Sequence, residues 1–281
     1  MKRVLTVQDI SCVGKCSLTV ALPIISAFGV ETAVLPTAVL STHTAFKSFT
    51  FRDLTDDITG IEEKWLSENI GFDAIYTGYL GSEKQIEIVA NLFENFKTFG
   101  GKRAEIIVDP AMADNGKLYY GFDEAFAKKM AKLCSEADVI VPNLTETAFM
   151  LGEKYTESGY DENYIKTLLK KLTGLGAKTA IITGVSLERD KLGAYGYDSL
   201  KDKFFSYYRE KLPVAYHGTG DIFASALCGA KTLGKTIEQS TAIAVDFTVE
   251  SIIKTMKDAN ANWYGVNFEE AFPYLMRRIG K

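Results

Sequence analysis

The sequence predicts an α/β fold built on a mostly parallel sheet, with helices on both faces and an antiparallel pair at one edge. Three observations point there. Apolar, β-rich runs recur along the chain as "RVLTVQ", "VETAVLP", "FDAIYTGYLG", "AEIIVDP", "ADVIVPN" and "KTAIITG". Such continuous apolar runs suit strands buried on both faces. Most are separated by stretches of helical periodicity, the alternation that builds a parallel sheet. After residue 190 the pattern changes, with "KLGAYGYDS" and "KDKFFSYYRE" reading as two strands joined by a polar turn.

The helical stretches are justified one by one. In Ser82 to Phe96, Ile86, Val89, Leu92, Phe93 and Phe96 share one face. Ser82 and Gln85 have the spacing of a capping box at its start. Two further helices are expected at about Phe122 to Cys134 and about Asp161 to Leu175. Ile222 to Ala230 carries small and apolar residues throughout, as a buried helix does, and "STAIAVDFTVESIIKTM" from Ser240 reads as another. With no linker rich in Pro, Gly or Ser and no repeat, residues 1–281 are expected to form one domain.

Composition narrows the function classes. Apolar residues are 47% and charged residues 24% of 281, the balance of a soluble globular protein. A net charge of -4 gives no basic surface for nucleic acid. No apolar run reaches the ~18 residues of a membrane span. "MKR" leads directly into a strand without a signal-peptide pattern, so the expected location is cytoplasmic. Cys12, Cys16, Cys134 and Cys228 are too few and scattered for a disulfide scaffold, and two histidines in the whole chain argue against structural zinc.

In a parallel sheet, ligands bind beyond the carboxyl ends of the strands. The residues expected just after each strand are Asp9, Tyr79 with Gly81, Asp109, Asn143 with Glu146, and Thr183 with Gly184. Carboxylates and hydroxyls dominate that rim, which suits a metal-bound polyphosphate. Two glycine turns compete for the phosphate. Residues 229–236 fit G-x-x-x-x-G-K-[ST] letter for letter, but a P-loop needs a strand before it, and this motif arrives after the sheet is built. It reads better as a loop between two helices, with Gly229 and Gly234 at helix ends. Gly218-Thr219-Gly220-Asp221 instead opens a buried helix, where three main-chain N–H groups and the helix dipole favour an anion. An acid there is useful if it takes a proton, so Asp221 is read as a general base, with an ordinary helix-capping aspartate as the alternative.

At this point the sequence resembles a known family. "GTGD" opening a helix after an α/β sheet resembles the ribokinase-like small-molecule kinases, which form a three-layer α/β/α sandwich. "VLTVQD", "LSTHT" at 40–44, "YTGYLGS" at 76–82, "VDPAMAD" at 108–114, "VPNLTE" at 141–146 and "AIITG" at 180–184 narrow the resemblance to pyridoxal/pyridoxine/pyridoxamine kinases, in order and across nearly the whole chain. The resemblance implies transfer of the γ-phosphoryl of ATP to the 5′-hydroxymethyl of a B6 vitamer. It implies Asp221 as base, with Gly218, Thr219 and Gly220 as the anion hole. Thr44 and Tyr79 would lie along the vitamer ring, and Asp109 and Glu146 would hold Mg²⁺ directly or through water. Asp109 and Thr183 would neighbour a monovalent cation such as K⁺. Asp114 and Tyr119 would belong to a loop over the nucleotide phosphates, with Asn143 and Gly184 on the nucleotide side. A homodimer is expected.

Two positions depart from the pattern. Asp9 stands where well-known members carry serine, and Ala45 where some bacterial members carry glutamine. Both fall among the implied ring contacts. Asp9 is expected to face a cationic group of the vitamer, or else to bond main-chain N–H groups in a turn. Hydroxymethylpyrimidine kinase activity is the neighbouring reading, and a non-catalytic vitamer-binding protein the reading from another class. His43 and His217 fall in the site loops and are assigned no catalytic role.

Overall fold

The computed structural model describes residues 1–281. The chain begins with β1 (Arg3–Val13), α1 (Leu18–Ala27), β2 (Glu31–Thr42), β3 (Phe51–Asp53), α2 (Thr55–Ser67) and β4 (Ala74–Thr77). It continues through α3 (Glu83–Phe96), a hairpin of β5 (Thr98–Phe99) and β6 (Lys102–Arg103), and β7 (Glu105–Val108). A second hairpin, β8 (Ala113–Asp114) and β9 (Lys117–Leu118), precedes α4 (Glu124–Ser135), β10 (Val139–Ile140), α5 (Leu144–Leu151) and α6 (Glu162–Gly174). The last part holds β11 (Thr179–Val185), β12 (Lys191–Asp198), β13 (Lys203–Glu210), α7 (Thr219–Thr232), α8 (Ile237–Lys257), a 3₁₀ turn (Phe268–Ala271) and α9 (Phe272–Ile279).

Nine strands form one sheet in the order β13-β12-β11-β10-β7-β4-β1-β2-β3. The pairs from β2 through β11 are parallel, while β12 and β3 run antiparallel to their neighbours β11 and β2, and β13 antiparallel to β12. The β12–β13 edge is the one expected from the sequence; β3, only three residues long, was not read as a strand. Side chains alternate across the sheet as period-two geometry requires. Leu5, Val7, Ile75, Ile106, Val108 and Ile182 join the core beneath α2 to α6. Val4, Tyr76, Ile107 and Ile181 join the core beneath α1, α7, α8 and α9. Two apolar layers on one sheet make the three-layer sandwich.

Local chemistry sets the helix ends. Ser82, Asp123 and Asp161 cap α3, α4 and α6 by accepting the N–H three residues on. The expected capping box at Ser82 is half formed. Gln85 Oε1 accepts from the Gly81 N–H at 2.7 Å rather than from Ser82, because its Nε2 is drawn inward to the Thr37 carbonyl at 3.0 Å. The chain terminus is held by a buried carboxylate: Asp246 of α8 accepts from Arg278 Nε at 2.9 Å, from Tyr207 Oη at 3.0 Å and from Arg209. That single acid ties α9 and β13 to α8.

The 229–236 motif is no phosphate loop. Gly234, at φ 88°, and capped Thr236 make the turn between α7 and α8, as expected. Gly229, however, lies inside α7 rather than at its end. A Cβ there would stand 2.4 Å from Phe28 Cδ2, so the glycine is where α7 packs against the end of α1. Gly229→Ala should therefore overpack this contact and cost about 1–3 kcal/mol. A urea titration checks it: the midpoint should fall at constant slope. An unchanged midpoint would mean that Phe28 yields freely.

Candidate active site

The sheet reverses direction of strand order at β1, with β2 on one side and β4 on the other. Such a switch point opens a crevice beyond the strand ends. Most of the residues singled out from the sequence come from the segments around it.

The first turn of α7 has the form expected for an anion seat. Its first intrahelical bond runs from Ile222 N–H to Gly218 O at 3.1 Å, so the N–H groups of Thr219, Gly220 and Asp221 have no partner within the helix. The Thr219 hydroxyl is turned back to the Tyr216 carbonyl at 3.2 Å. Gly218 is in the left-handed region at φ 77°, and a Cβ on it would meet the Lys15 carbonyl oxygen at 2.3 Å. Glycine is needed for both reasons, backbone angle and close approach. That contact brings residues 14–17, after β1, directly onto the α7 turn.

Asp221 is half-buried. Burial pushes its carboxyl up to about 7, the like charge of Asp9 adds to the shift, and the Ser17 main-chain N–H opposes it. Asp109 directly follows β7 and is buried. It lies well above the usual carboxylate range through burial and the like charges of Glu146 and Asp221. Its Oδ1 accepts the Ala111 N–H at 3.2 Å.

Glu146 is pushed up to about 7, chiefly by burial, although several main-chain N–H groups point at it. It closes a complete capping box on α5: Glu146 Oε2 accepts from Asn143 N–H at 2.8 Å, and Asn143 Oδ1 accepts from Glu146 N–H at 2.9 Å. Its Oε1 accepts from Met112 N–H at 3.0 Å. Asn143 Nδ2 donates to the Ala113 carbonyl at 2.8 Å. The pair therefore holds the β8–β9 hairpin over the strand ends. Asp114 and Tyr119 belong to that hairpin, whose Asn115-Gly116 turn has positive φ at both positions. Burial and the charges of Glu146, Asp114, Asp109 and Asp221 all raise the Tyr119 phenol.

Some positions differ from expectation. Asp9 does not follow β1 but lies within it, where the register against β2 shifts between Gln8 and Ile10. A bulge of this kind re-aims a side chain. Asp9 is buried, accepts from the Ser11 hydroxyl at 2.9 Å and is flanked by the Ser17 hydroxyl; burial still raises its carboxyl. Its partners here are the Ser11 and Ser17 hydroxyls together with its own main-chain N–H. Thr183 and Gly184 likewise lie inside β11, at a second bulge where Gly184 takes φ 71°. Thr183 N–H reaches the Pro142 carbonyl at 2.9 Å, beside Asn143.

Tyr79 follows β4, is half-buried, and stacks on Phe122 with centroids 5.6 Å apart. Burial and the charge of Asp9 push its phenol up to about 12. Thr44 is exposed in the turn after β2 and is not drawn into the carboxylate cluster by any hydrogen bond; Ala45 beside it donates its N–H to His43 Nδ1 at 3.1 Å.

Ser17 and the aromatic residues 263–264 were not singled out from the sequence. Ser17 has φ 51° and ψ -134°, a conformation that costs a non-glycine residue on the order of 1–3 kcal/mol. Nothing in "GKCS" signals this, because the strain comes from fitting the segment between β1 and α7.

The model of the phosphomethylpyrimidine kinase family matches residues 22–264. The chain belongs to the phosphomethylpyrimidine kinase family. A family protein of Bacteroides thetaiotaomicron, described as a putative phosphomethylpyrimidine kinase and solved with pyridoxal, is 37% identical with TM-score 0.90, over 98% of this chain and 95% of that one. Pyridoxal kinase from Lactobacillus plantarum is 28% identical with TM-score 0.89, over 99% and 97%. The hydroxymethylpyrimidine/phosphomethylpyrimidine kinase of Bacillus subtilis is 29% identical over 68% of this chain and 67% of its own. The fold is thus ribokinase-like, and the protein is a kinase of the family that includes the pyridoxal kinases.

The buried acids make the site a local cost to stability. The folded Asp221 carboxyl is raised above its unfolded value, so its stabilising contribution is present near pH 4 and lost as pH rises through about 7. Asp221→Asn should therefore melt higher than the wild type at pH 8, by roughly 2–4 °C if the relief is about 1 kcal/mol. The difference should be smaller at pH 5 and close only below about pH 4, where the carboxyl is protonated in the folded and unfolded chains alike. Thermal melts at the two pH values check it, and equal melting temperatures at pH 8 would contradict the cost of the buried charge.

Proposed function

We propose that the protein transfers the γ-phosphoryl group of ATP to the 5′-hydroxymethyl of a B6 vitamer. One observation carries this reading: a proton-accepting acid, Asp221, stands in the same helical turn as three main-chain N–H groups left without acceptors. A carboxyl with its affinity raised toward neutrality is matched to taking a proton from an alcohol as it attacks. The N–H groups of Thr219, Gly220 and Asp221 would stabilise charge on the transferred phosphoryl. Gly218 lets the turn approach closely enough to do so. Tyr79 would support the acceptor ring, with Thr44 adding a polar contact. Asp9, buried next to the like charge of Asp221, would gain most from a cationic partner, and both a protonated ring nitrogen and the ammonium of pyridoxamine qualify.

The nucleotide would lie under the β8–β9 hairpin, near Asp114, Tyr119, Asn143, Thr183 and Gly184. The acids favour a hard cation. Burial and mutual repulsion raise Asp109, and no Lys or Arg is among the groups that shift Asp109 or Glu146. No three His, Cys, Asp or Glu side chains converge to chelate an ion alone. That fits Mg²⁺, which is commonly held by one or two carboxylates with water and substrate phosphates. Asp109 and Glu146 would hold it, Glu146 through water because both its oxygens already accept main-chain N–H groups. When bound, Mg²⁺ would supply charge neutralisation on the phosphates. Thr183 with Asp109 is the corresponding choice for a monovalent cation.

A relative of this chain was solved with pyridoxal, which supports a vitamer as acceptor. Hydroxymethylpyrimidine is the second reading, favoured by the family match and the Bacillus subtilis relative. Steady-state kinetics with pyridoxal, pyridoxine, pyridoxamine and hydroxymethylpyrimidine separates the two. The vitamers should give the higher kcat/KM, and Asp221→Asn should lower kcat by ~10²–10⁴ with KM within a few-fold. Activity should fall as pH drops and Asp221 takes up its proton. A near-normal kcat in that variant would remove Asp221 from the base role.

The metal is tested separately. Excess EDTA should abolish turnover, and Asp109→Ala should raise the Mg²⁺ concentration giving half activity. Full turnover in EDTA would overturn the divalent requirement.

A further inference from the structure

Five aromatic rings gather near the start of α7 from three distant parts of the chain. His43 and Phe46 come from the turn after β2, His217 directly precedes Gly218, and Trp263 and Tyr264 lie between α8 and the 3₁₀ turn. Ring centroids are 5.4 Å apart for His43 and His217, 5.9 Å for His43 and Trp263, and 4.6 Å for Phe46 and Trp263. The cluster therefore reaches from the anion seat, through His217 and His43, to Trp263.

This group is fixed in place. His43 is buried and accepts the Ala45 N–H at Nδ1, which assigns its proton to Nε2 for donation to the Tyr264 carbonyl at 3.1 Å. Gly265 is pressed against Lys15, where a Cβ would stand 2.6 Å from Lys15 Cβ. Lys15 Nζ donates to Asn267 Oδ1 at 3.1 Å and pairs with Glu269 at 2.9 Å. Both sides of Trp263 are thus pinned, one through His43 and the other through the loop that touches Gly218. Yet Trp263 itself is 58% exposed. An anchored indole left open beside a substrate site presents a flat apolar surface at little further entropic cost.

We propose that Trp263 is a specificity-determining residue, whose indole contacts the planar nitrogen heterocycle of the acceptor at the rim of the site. The inference rests on the kinase reading above and adds to it a segment from the end of the chain. A ring of the acceptor would pack against the indole while its hydroxymethyl reaches the α7 turn. A cationic ring would gain a cation–π component as well. The ATP side of the site, under the β8–β9 hairpin, lies on other elements and would be unaffected.

The test compares wild type, Trp263→Ala and Trp263→Phe as full-length proteins, varying pyridoxal at saturating ATP and then ATP at saturating pyridoxal. Trp263→Ala should raise KM for pyridoxal about tenfold, the size expected for one lost ring–ring contact. Its kcat and its KM for ATP should stay within about threefold, and Trp263→Phe should recover most of the loss. If wild type phosphorylates neither pyridoxal nor hydroxymethylpyrimidine, the kinase reading fails and the inference with it. If wild type turns over and Trp263→Ala keeps its KM for the acceptor, the inference alone fails. A proportionate rise in both KM values would also overturn it, since that marks general loosening of the fold. Should Trp263→Ala prove unstable, Trp263→Leu, which keeps apolar volume but removes the ring, carries the same comparison and is expected to raise KM for pyridoxal selectively. An unchanged KM for pyridoxal in a folded Trp263→Leu would overturn the inference.

Discussion

Four carboxylates with raised proton affinity gather at one end of the central parallel strands, Asp9 at a bulge within β1 and the others just after or near strand ends, and none has a lysine or arginine among the groups that shift it. Burial is the largest cause in each case; the charges of Glu146 and Asp221 add to Asp109, that of Asp9 to Asp221, and that of Asp114 to Glu146. Such an arrangement persists only because surrounding structure holds it, since buried like charges would otherwise move apart or take up protons. The holding is done by main-chain N–H groups and hydroxyls. Glu146 is held by Asn143 and Met112, Asp109 by Ala111, and Asp9 by Ser11. Much of the surrounding geometry follows from that requirement.

The segment after β1 shows how the constraint spreads. Residues 14–17 must pass between β1 and α7 while offering a donor to Asp221 and a hydroxyl to Asp9. Doing so forces Lys15 and Ser17 to positive φ and places the Lys15 carbonyl where only a glycine at 218 fits. The Lys15 side chain then reaches the far end of the chain at Asn267 and Glu269. Strain at the N-terminal loop, the glycine of the anion seat and the position of the aromatic segment are thus one linked arrangement. Supports remote from the site are more ordinary: Asp246 and Asp138 are buried acids that each gather two basic side chains and thereby stitch the outer elements to the sheet.

Legibility from sequence followed the range of the interaction. Helices α3, α4 and α6 were readable because their apolar faces and capping residues lie within a few positions of one another. The β12–β13 pair was readable from its turn. Strand β3 was not, being three exposed residues whose pairing with β2 is long-range. Gly229 was misplaced because its reason is Phe28, far away in sequence. Asp9 and Gly184 were expected after their strands and lie within them, because bulges are made by the register of the neighbouring strand and leave no local pattern.

The amino-acid sequence by itself determined the alternation of strands and helices, the buried helix opened by "GTGD", and the acids at most strand ends. These depend on periodicity, glycine and local capping, which act over a few residues. Only the tertiary structure decided that the acids share one crevice, that Glu146, besides its local capping bond to Asn143, accepts from Met112 across the crevice, and that residues 14–17 are strained. The same holds for the joining of His43, His217 and Trp263 into one cluster. The physical reason is that these burials, charge couplings and ring contacts join atoms from distant segments, so no short stretch of the chain contains both partners of any of them.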